Sequence, residues 1–344
     1  MVRELLNRVI DGDSLDADEA AGLMSRMMDE ELTPIQLGAF LVALRAKGET
    51  SDEVVGFART MRSRARHIEI EGALADTCGT GGDGRGTFNI STAAALIVAA
   101  CGQPVAKHGN RAASGRCGSA DVLEALGVDV ALPPEGVARC IDQASIGFLF
   151  APAFHPAMKF AAVPRRELGV RTVFNLLGPL TNPARPRYQL LGVSSSDLLD
   201  LMAHALLKLD VEAALVVHSC DGTDEITVAG PTSVREVRAG AVRAYEVIPE
   251  DFGVARSEAD AVRGGDPEVN SAILRRILEG QHGPPRDAAV MNAGAALYVA
   301  GHADSFQTGA HKAAQAVDSG AALETLERLR AVSRGARAAV GSAA

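Results

Sequence analysis

Residues 76–92 read DTCGTGGDGRGTFNIST, and this glycine-rich stretch is the strongest indication of the fold class. It lies between a short aliphatic strand and an apolar helix that begins near Thr92. Glycines allow tight turns and expose backbone N–H groups, and a helix N-terminus adds a positive dipole. Asn89, Ser91 and Thr92 supply polar side chains at the same end. The stretch predicts a phosphate-binding loop; a capped glycine-rich turn without a ligand is the alternative.

Two nucleotide-binding motifs resemble this loop without fitting it. Gly79, Gly81 and Gly84 match G-x-G-x-x-G, but that motif requires a helix that opens at once and an acidic residue about 20 positions later. Here the helix begins late, and no Asp or Glu occurs between Asp83 and Asp121. The Gly-Lys-Ser/Thr of an ATP-binding P-loop is also missing. These departures disfavour both NAD and ATP as ligands.

The sequence around the loop alternates between short aliphatic runs and helical patterns from Ala73 onward. The strand-like runs are 104–107, 146–150, 188–193 and 213–218, and the helix-like ones are 92–101, 120–126, 134–144 and 198–209. This alternation predicts an α/β fold with a mostly parallel central sheet. We expect an antiparallel excursion at 227–247, helices at 267–278 and in three segments beyond 287, and a frayed tail from Ser333.

The first seventy residues have a helical pattern throughout. Three pairs have capping-box spacing ahead of apolar stripes: Asp16 with Glu19, Thr33 with Gln36, and Thr50 with Glu53. They predict a small N-terminal helical domain, 1–71, beside a larger α/β domain.

Two further polar segments follow predicted strands. Residues 107–121, KHGNRAASGRCGSAD, contain three cations and should lie at the same sheet edge as the first loop, although a solvated basic loop is the alternative. Residues 218–226, HSCDGTDEI, place Asp224 and Glu225 together at a strand exit, where carboxylates can hold Mg²⁺ beside bound phosphate. An exposed acidic turn is the competing interpretation of the second segment.

The remaining candidates are less specific. Arg165 and Arg166 could bind a carboxylate bidentately, or could be ordinary helix surface. No Ser/His/Asp or Cys/His set can be assembled from local spacing, so a hydrolase triad has no support.

Composition limits the partners and the compartment. The net charge of −9 argues against a nucleic-acid binder, which normally has a basic excess. The longest apolar run, 93–101, is far shorter than the ~20 residues that span a bilayer. Five dispersed cysteines form no Cys-x-x-Cys pair, and we see no signal peptide. We therefore expect no membrane association and a cytoplasmic location.

Three of these segments, at 78–92, 107–121 and 221–226, together with residues 175–183, NLLGPLTNP, resemble the anthranilate phosphoribosyltransferase family. The resemblance runs from the N-terminal helices to about Val332. It implies transfer of the 5-phosphoribosyl group from phosphoribosyl pyrophosphate to the amine of anthranilate in tryptophan biosynthesis, with two Mg²⁺ per monomer. It also implies a homodimer with the fold of pyrimidine nucleoside phosphorylases, in which helices from about 164–185 join the small domain. The large domain is then 72–163 and 186–344.

The resemblance also assigns roles to residues. It implies that phosphoribosyl pyrophosphate is surrounded by Gly79, Gly82, Asp83, Thr87, Asn89, Ile90, Ser91, Thr92, Lys107, His108, Gly109, Asn110, Arg111, Ala112, Ala113, Ser114, Gly115 and Ser119. Anthranilate would be contacted by Asn110 and Arg165, with Gly79 and His108 nearby. Ser91, Asp224 and Glu225 would hold magnesium. Lys107, Asn110 and Arg165 would act by positioning and electrostatics, since an aromatic amine is already neutral and needs no dedicated base.

Departures from the family pattern are few. Ser114-Gly115 replaces the usual Ser-Ser, which removes one hydroxyl worth ~1 kcal/mol or less, and Thr223 and Val163-Pro164 also differ. Two other hypotheses remain: a pyrimidine nucleoside phosphorylase on the same fold, and a non-enzymatic relative that binds nucleic acid.

Overall fold

The N-terminal part of the chain is a bundle of helices in the computed structural model, which describes residues 2–112 and 115–341. The bundle helices are α1 (Val2–Ile10), α2 (Ala17–Met28), α3 (Pro34–Lys47) and α4 (Ser51–Arg64). The three predicted capping boxes are confirmed: in each, the N-cap side chain accepts from the N3 backbone and the N3 side chain accepts in return. These reciprocal bonds satisfy backbone donors that a helix start otherwise leaves unpaired.

A mixed sheet of seven strands follows in the described residues. Its strands are β1 (Ala75–Gly79), β2 (Val105–Gly109), β3 (Ile146–Phe150), β4 (Tyr188–Gly192), β5 (Ala213–Ser219), β6 (Thr232–Arg238) and β7 (Ala241–Val247). They lie in the order β3-β2-β1-β4-β5-β6-β7. Neighbours among the first five strands in this order pair in parallel, and β6 pairs antiparallel with both β5 and β7. The mostly parallel sheet and its antiparallel excursion were both predicted correctly.

Helices cover both faces of the sheet. The longer ones are α5 (Ile90–Ala100), α6 (Ser119–Ala125), α7 (Pro134–Ala144), α11 (Leu198–Lys208), α12 (Pro267–Leu278), α13 (Pro284–Val299), α14 (Phe306–Asp318) and α15 (Ala321–Gly341). One buried core joins α5, α13 and α15 to the sheet, and a second joins α11 and the N-terminal bundle to it. None of the helices in the described part combines the length and the apolar character that a membrane crossing requires.

Short helical turns between β3 and β4 pack on the N-terminal bundle. They comprise α8 (Ala151–Phe154), α9 (Ala162–Leu168), α10 (Phe174–Leu177) and 3-10 turns at Pro156–Ala161 and Gly178–Leu180. Phe174, Leu177 and Leu180 belong to the same buried core as the bundle residues Phe40 and Phe57. This packing agrees with a small domain completed by later helices, and the boundaries at 71/72, 163/164 and 185/186 stay a prediction.

The expectation of a frayed tail from Ser333 is wrong. Helix α15 continues to Gly341, and Ser333 is fully buried. Its Oγ accepts a hydrogen bond from the Asp129 backbone N–H at 3.1 Å, and Arg337 pairs with the Asp129 carboxylate. The helix is ordered by this docking onto the 127–131 segment, because tertiary contacts outweigh a composition rich in Ala and Gly.

Candidate active site

The glycine-rich loop leaves the carboxyl end of β1 at the centre of the sheet. The first four residues of the quoted stretch, 76–79, form most of β1 rather than the loop, and α5 begins at Ile90. The Thr80 backbone N–H donates to Gly192 O on β4, and the Gly81 N–H donates to the Asp224 carboxylate at 2.8 Å. Gly81 and Gly82 have φ of 66° and 73°, where other residues are strained. The start of the loop is thereby tied to the end of β4 and to the segment that follows β5.

The far end of the loop is anchored to residues 262–264. Phe88 N–H donates to Val262 O, the Gly264 N–H donates to Gly86 O, and Thr87 forms an isolated bridge with Arg263. These contacts place Thr87 beside the start of α5.

Asp224 and Glu225 lie at the carboxyl end of β5 and face this loop. Glu225 accepts from the Ser91 N–H at 3.1 Å, and the Asp224 N–H lies 3.4 Å from the Asp83 carboxylate. Burial, and next the Asp83 charge, raise the pKa of Asp224; burial, and next the Asp224 charge, raise the pKa of Glu225. Half-buried carboxylates this close to each other either take up a proton or are compensated by a cation.

This arrangement fits magnesium. No cluster of three or more His, Cys, Asp or Glu side chains that could hold a metal occurs within residues 2–112 and 115–341. Mg²⁺ does not need one, because it commonly binds one or two carboxylates and completes its shell with water and substrate phosphates. Asp224, Glu225 and the Ser91 hydroxyl are oxygen donors of the required kind.

Lys107 supplies positive charge beneath the acidic pair. Its Nζ donates to Thr77 O at 2.5 Å and to Ser91 Oγ at 3.3 Å, and the side chain is buried. The Lys107 charge also opposes the rise in the pKa of Glu225. The structure therefore brings together Lys107, Ser91 and Glu225, as the sequence predicted.

Two glycines allow Asp224 to lie this close to the sheet. A Cβ added at Gly79 would lie 2.3 Å from Asp224 Oδ2, and one at Gly192 would lie 1.5 Å from the Asp224 backbone oxygen. Gly79 was among the predicted site residues, but Gly192 was missed. The one sequence feature that could have indicated a role for Gly192 is its position near the end of the predicted strand 188–193.

Other predicted residues at the start of α5 have different roles. Asn89 is the N-cap of α5, but its side chain caps nothing: Nδ2 donates to Cys117 O, and Oδ1 accepts from Asn270. It thus ties the first loop to the second and to α12. The Thr92 hydroxyl is buried and has no hydrogen-bond partner among the described groups. Asn270 was not predicted, because nothing in the sequence joins positions 181 residues apart.

The second loop follows β2, next to β1, so both loops lie at one sheet edge as predicted. Ser119 Oγ donates to Asn110 O at 3.3 Å, and a Cβ at Gly109 would lie 2.2 Å from that hydroxyl. Arg111 is paired with the Asp121 and Glu124 carboxylates. Ala112 donates its backbone N–H to Asp121, and Gly115 is exposed. The predicted residues Ala113 and Ser114 lie outside the described residues.

Arg165 lies on α9 and is partly exposed. Its guanidinium carbon is 5.2 Å from the Phe174 ring centroid, and burial lowers its pKa. No ion pair or hydrogen bond to the Arg165 side chain occurs in the described part of the chain, so the guanidinium is available to a ligand carboxylate. No hydrogen bond there joins Arg165 to Asn110. Arg166 is exposed, as an ordinary helix surface would be.

His108 is buried between β2 and the turn at 178–180. Its Nδ1–H donates to Gly178 O at 3.1 Å, and its ring packs on His155 with centroids 5.3 Å apart. Burial, and next the charge of the other imidazole, lower the pKa of His108 to about 3; burial lowers the pKa of His155 to about 4. Both imidazoles are neutral at pH 7, and His108 Nε2 has no partner in the described chain. Sequence reasoning gave His155 no role.

Arg171 was also missed. It lies between α9 and α10 and donates from Nη1 to both Gly81 O and Gly82 O, each at 3.1 Å. No local motif marks it, since the contact spans about ninety residues of sequence.

Comparisons with known proteins agree on one family. Residues 3–65 match the model described as "Glycosyl transferase family, helical bundle domain", and residues 71–323 match "Glycosyl transferase family, a/b domain". The chain is 54% identical over 336 residues to anthranilate phosphoribosyltransferase of Chloroflexus aurantiacus, covering 97% of this chain and 99% of that protein. It is 53% identical to the Thermomicrobium roseum protein of the same name, with 97% of each covered.

Solved structures give the same result. The crystal structure of anthranilate phosphoribosyltransferase from Thermus thermophilus superposes with a TM-score of 0.91 at 47% identity, over 96% of this chain and 99% of that one. The Saccharomyces cerevisiae enzyme in complex with phosphoribosyl pyrophosphate and Mg has a TM-score of 0.89 at 25% identity, over 97% and 98%.

Proposed function

The chain belongs to the anthranilate phosphoribosyltransferase family, and we propose that it transfers the 5-phosphoribosyl group from phosphoribosyl pyrophosphate to the amine of anthranilate. The products are N-(5-phosphoribosyl)anthranilate and pyrophosphate, in the pathway to L-tryptophan. The observation that carries the proposal is the juxtaposition of the half-buried Asp224–Glu225 pair with the glycine-rich loop and Lys107. A carboxylate pair beside free backbone donors suits a magnesium-bound diphosphate.

The leaving diphosphate is the group whose charge must be stabilised most in the transition state. As the bond between C1′ and its oxygen breaks, negative charge builds on the diphosphate and positive character on the ribose. Asp224, Glu225 and Ser91 would hold Mg²⁺, which neutralises diphosphate charge when bound. Lys107 adds a fixed positive charge beneath the pair, held by Thr77 O. The loop backbone and Asn110 fix the ribose and phosphate, so the barrier falls through positioning and electrostatics.

Anthranilate, the acceptor, must be held in the correct orientation, but its amine does not need to be activated. Arg165 is a half-buried guanidinium without an internal carboxylate partner in the described chain, which suits it to the carboxylate of anthranilate. Phe174 supports that guanidinium from one side. The His108 imidazole, neutral at pH 7, presents no competing charge to the aromatic amine. Because that amine is itself neutral, it attacks C1′ without prior deprotonation, and one N–H proton is lost after the C1′–N bond has formed.

The experiment is to follow anthranilate fluorescence with the pure protein, phosphoribosyl pyrophosphate and Mg²⁺. The chain contains no tryptophan, so protein background is low. We expect a decay that requires all three components. No decay with folded protein would refute the proposal, and phosphorolysis of thymidine or uridine would instead support the nucleoside phosphorylase alternative.

We also propose two Mg²⁺ per monomer, a homodimer and a cytoplasmic location. The dimer is supported by apolar side chains on the outer face of α3, where Ile35 is 85% and Val42 is 45% exposed. The location is supported by five free thiols, which suit a reducing compartment. Titration calorimetry with Mg²⁺ and pyrophosphate measures the metal count. Analytical ultracentrifugation of wild type and Ile35→Glu tests the dimer, which we expect the substitution to weaken.

A further inference from the structure

Arg171 contacts the glycine-rich loop and has no role in the reaction as proposed above. Its Nη1 donates to two consecutive carbonyls, those of Gly81 and Gly82, each at 3.1 Å. Its Nη2 is buried without a hydrogen-bond partner among the described groups. The nearby charges are those of Arg45, Asp224 and Asp83. Although two carboxylates lie nearby, the Arg171 guanidinium donates its hydrogen bonds to two loop carbonyls and forms no ion pair in the described part of the chain.

The geometry of the peptide bond gives this contact a consequence. In a trans peptide, the carbonyl of one residue and the N–H of the next point in opposite directions. The carbonyls of Gly81 and Gly82 face Arg171, so the N–H groups of Gly82 and Asp83 face away from it. Neither N–H has a hydrogen-bond partner within residues 2–112 and 115–341. Two adjacent unpaired donors with a common direction form an anion-binding concavity.

Because this part of the loop is glycine with positive φ, the orientation of its peptide units depends on contacts with the rest of the chain. Gly81 and Gly82 have φ of 66° and 73°, and glycine adopts many other backbone conformations at little cost. Without a partner for the two carbonyls, each peptide unit could rotate and present its oxygen to the anion. Arg171 opposes that rotation at both units. A Cβ on Gly82 would lie 2.8 Å from Arg171 Nη1, so a larger residue there would displace the end of the guanidinium from the two carbonyls.

We propose that Arg171 is a positioning residue that orients the Gly82 and Asp83 N–H groups toward the diphosphate of phosphoribosyl pyrophosphate. The inference rests on the proposed function and adds a residue to it. Arg171 acts through the loop backbone and touches no reacting atom. Its segment, 169–173, directly follows the α9 helix that carries Arg165, so one stretch of chain supports both the donor loop and the acceptor site.

The test compares Arg171→Met and Arg171→Lys with Arg166→Met. Arg166 is the matched control, because it is exposed and its side chain makes no hydrogen bond or ion pair in the described part of the chain. In Arg171→Met we expect KM for phosphoribosyl pyrophosphate and Kd for inorganic pyrophosphate with Mg²⁺ to rise about tenfold, the effect of one lost charged hydrogen bond. KM for anthranilate should stay within about twofold, which a general structural defect would not produce.

Arg171→Lys should fall between wild type and Arg171→Met, because an ammonium keeps the charge but not the planar fork. It also carries the test if the methionine variant does not fold. Unchanged pyrophosphate Kd in both variants, or an equal rise in KM for both substrates, would overturn the inference alone. A wild-type protein that neither consumes anthranilate nor binds pyrophosphate would overturn the proposed function as well.

Discussion

Replacing Gly192 by alanine should damage the candidate metal site without adding or removing any charge. The new Cβ would lie 1.5 Å from the Asp224 backbone oxygen and 2.4 Å from its carbonyl carbon. Restoring ordinary van der Waals contact requires the Asp224 backbone to retreat by about 2 Å, because both neighbours are backbone atoms and neither can rotate away. The Asp224 carboxylate would then lose its bond to the Gly81 N–H.

The expected loss of activity follows from that displacement. Mg²⁺ tolerates little deviation from ligand distances of about 2.0–2.1 Å. A misplacement of about 1 Å can lower a rate about a hundredfold, so we expect kcat/KM to fall by at least about that factor. The Mg²⁺ concentration for half-maximal rate should rise as well. Overpacking should also lower the free energy of unfolding by about 1–3 kcal/mol.

The assay is the initial rate of anthranilate fluorescence loss across a Mg²⁺ series, with the unfolding midpoint measured alongside. Gly22→Ala is the matched control, since its Cβ would meet nothing within 4 Å. The reasoning is refuted if Gly192→Ala keeps wild-type kcat/KM and wild-type magnesium dependence.

Three further predictions test other parts of the molecule. Asp224→Asn with Glu225→Gln should depress turnover and raise the magnesium requirement, since neutral amides are weaker ligands than carboxylates; unchanged dependence on Mg²⁺ in the rate assay would remove both residues from the metal site. Arg165→Ala should raise KM for anthranilate far more than KM for phosphoribosyl pyrophosphate, and equal increases would show that Arg165 is structural. Ser333→Ala should lower the free energy of unfolding by about 1 kcal/mol, because the part-buried Asp129 N–H loses its acceptor; a urea midpoint equal to wild type would contradict this.

The fold was predictable where local chemistry determines it. The capping boxes at Asp16, Thr33 and Thr50 define helix starts within four residues of sequence, and all three helices begin where predicted. The tail was not predictable in this way. The Ser333 hydroxyl is bonded to the backbone N–H of Asp129, which lies 204 residues earlier in the chain. Local composition cannot predict a contact between residues so far apart in sequence.

The same division holds at the candidate site. Lys107, Ser91 and Glu225 were identified because each lies in a polar segment that begins within or follows a strand, and parallel strands bring such segments to one edge. Gly192 and Arg171 were missed for a physical reason. Each acts by its contact with backbone from a remote segment, Gly192 by leaving room for Asp224 and Arg171 by binding two loop carbonyls.

The packing of residues 173–180 on the N-terminal bundle affects how the chain folds as it is synthesised. Helices α1–α4 leave the ribosome first, but their shared core includes Phe174 and Leu180, which emerge more than a hundred residues later. Strand β1 likewise waits for β4, its neighbour on one side. The nascent chain therefore exposes apolar surface over a long stretch of translation. We expect fragments that end before residue 170 to bind chaperones and aggregate, because the core of the bundle lacks Phe174 and Leu180.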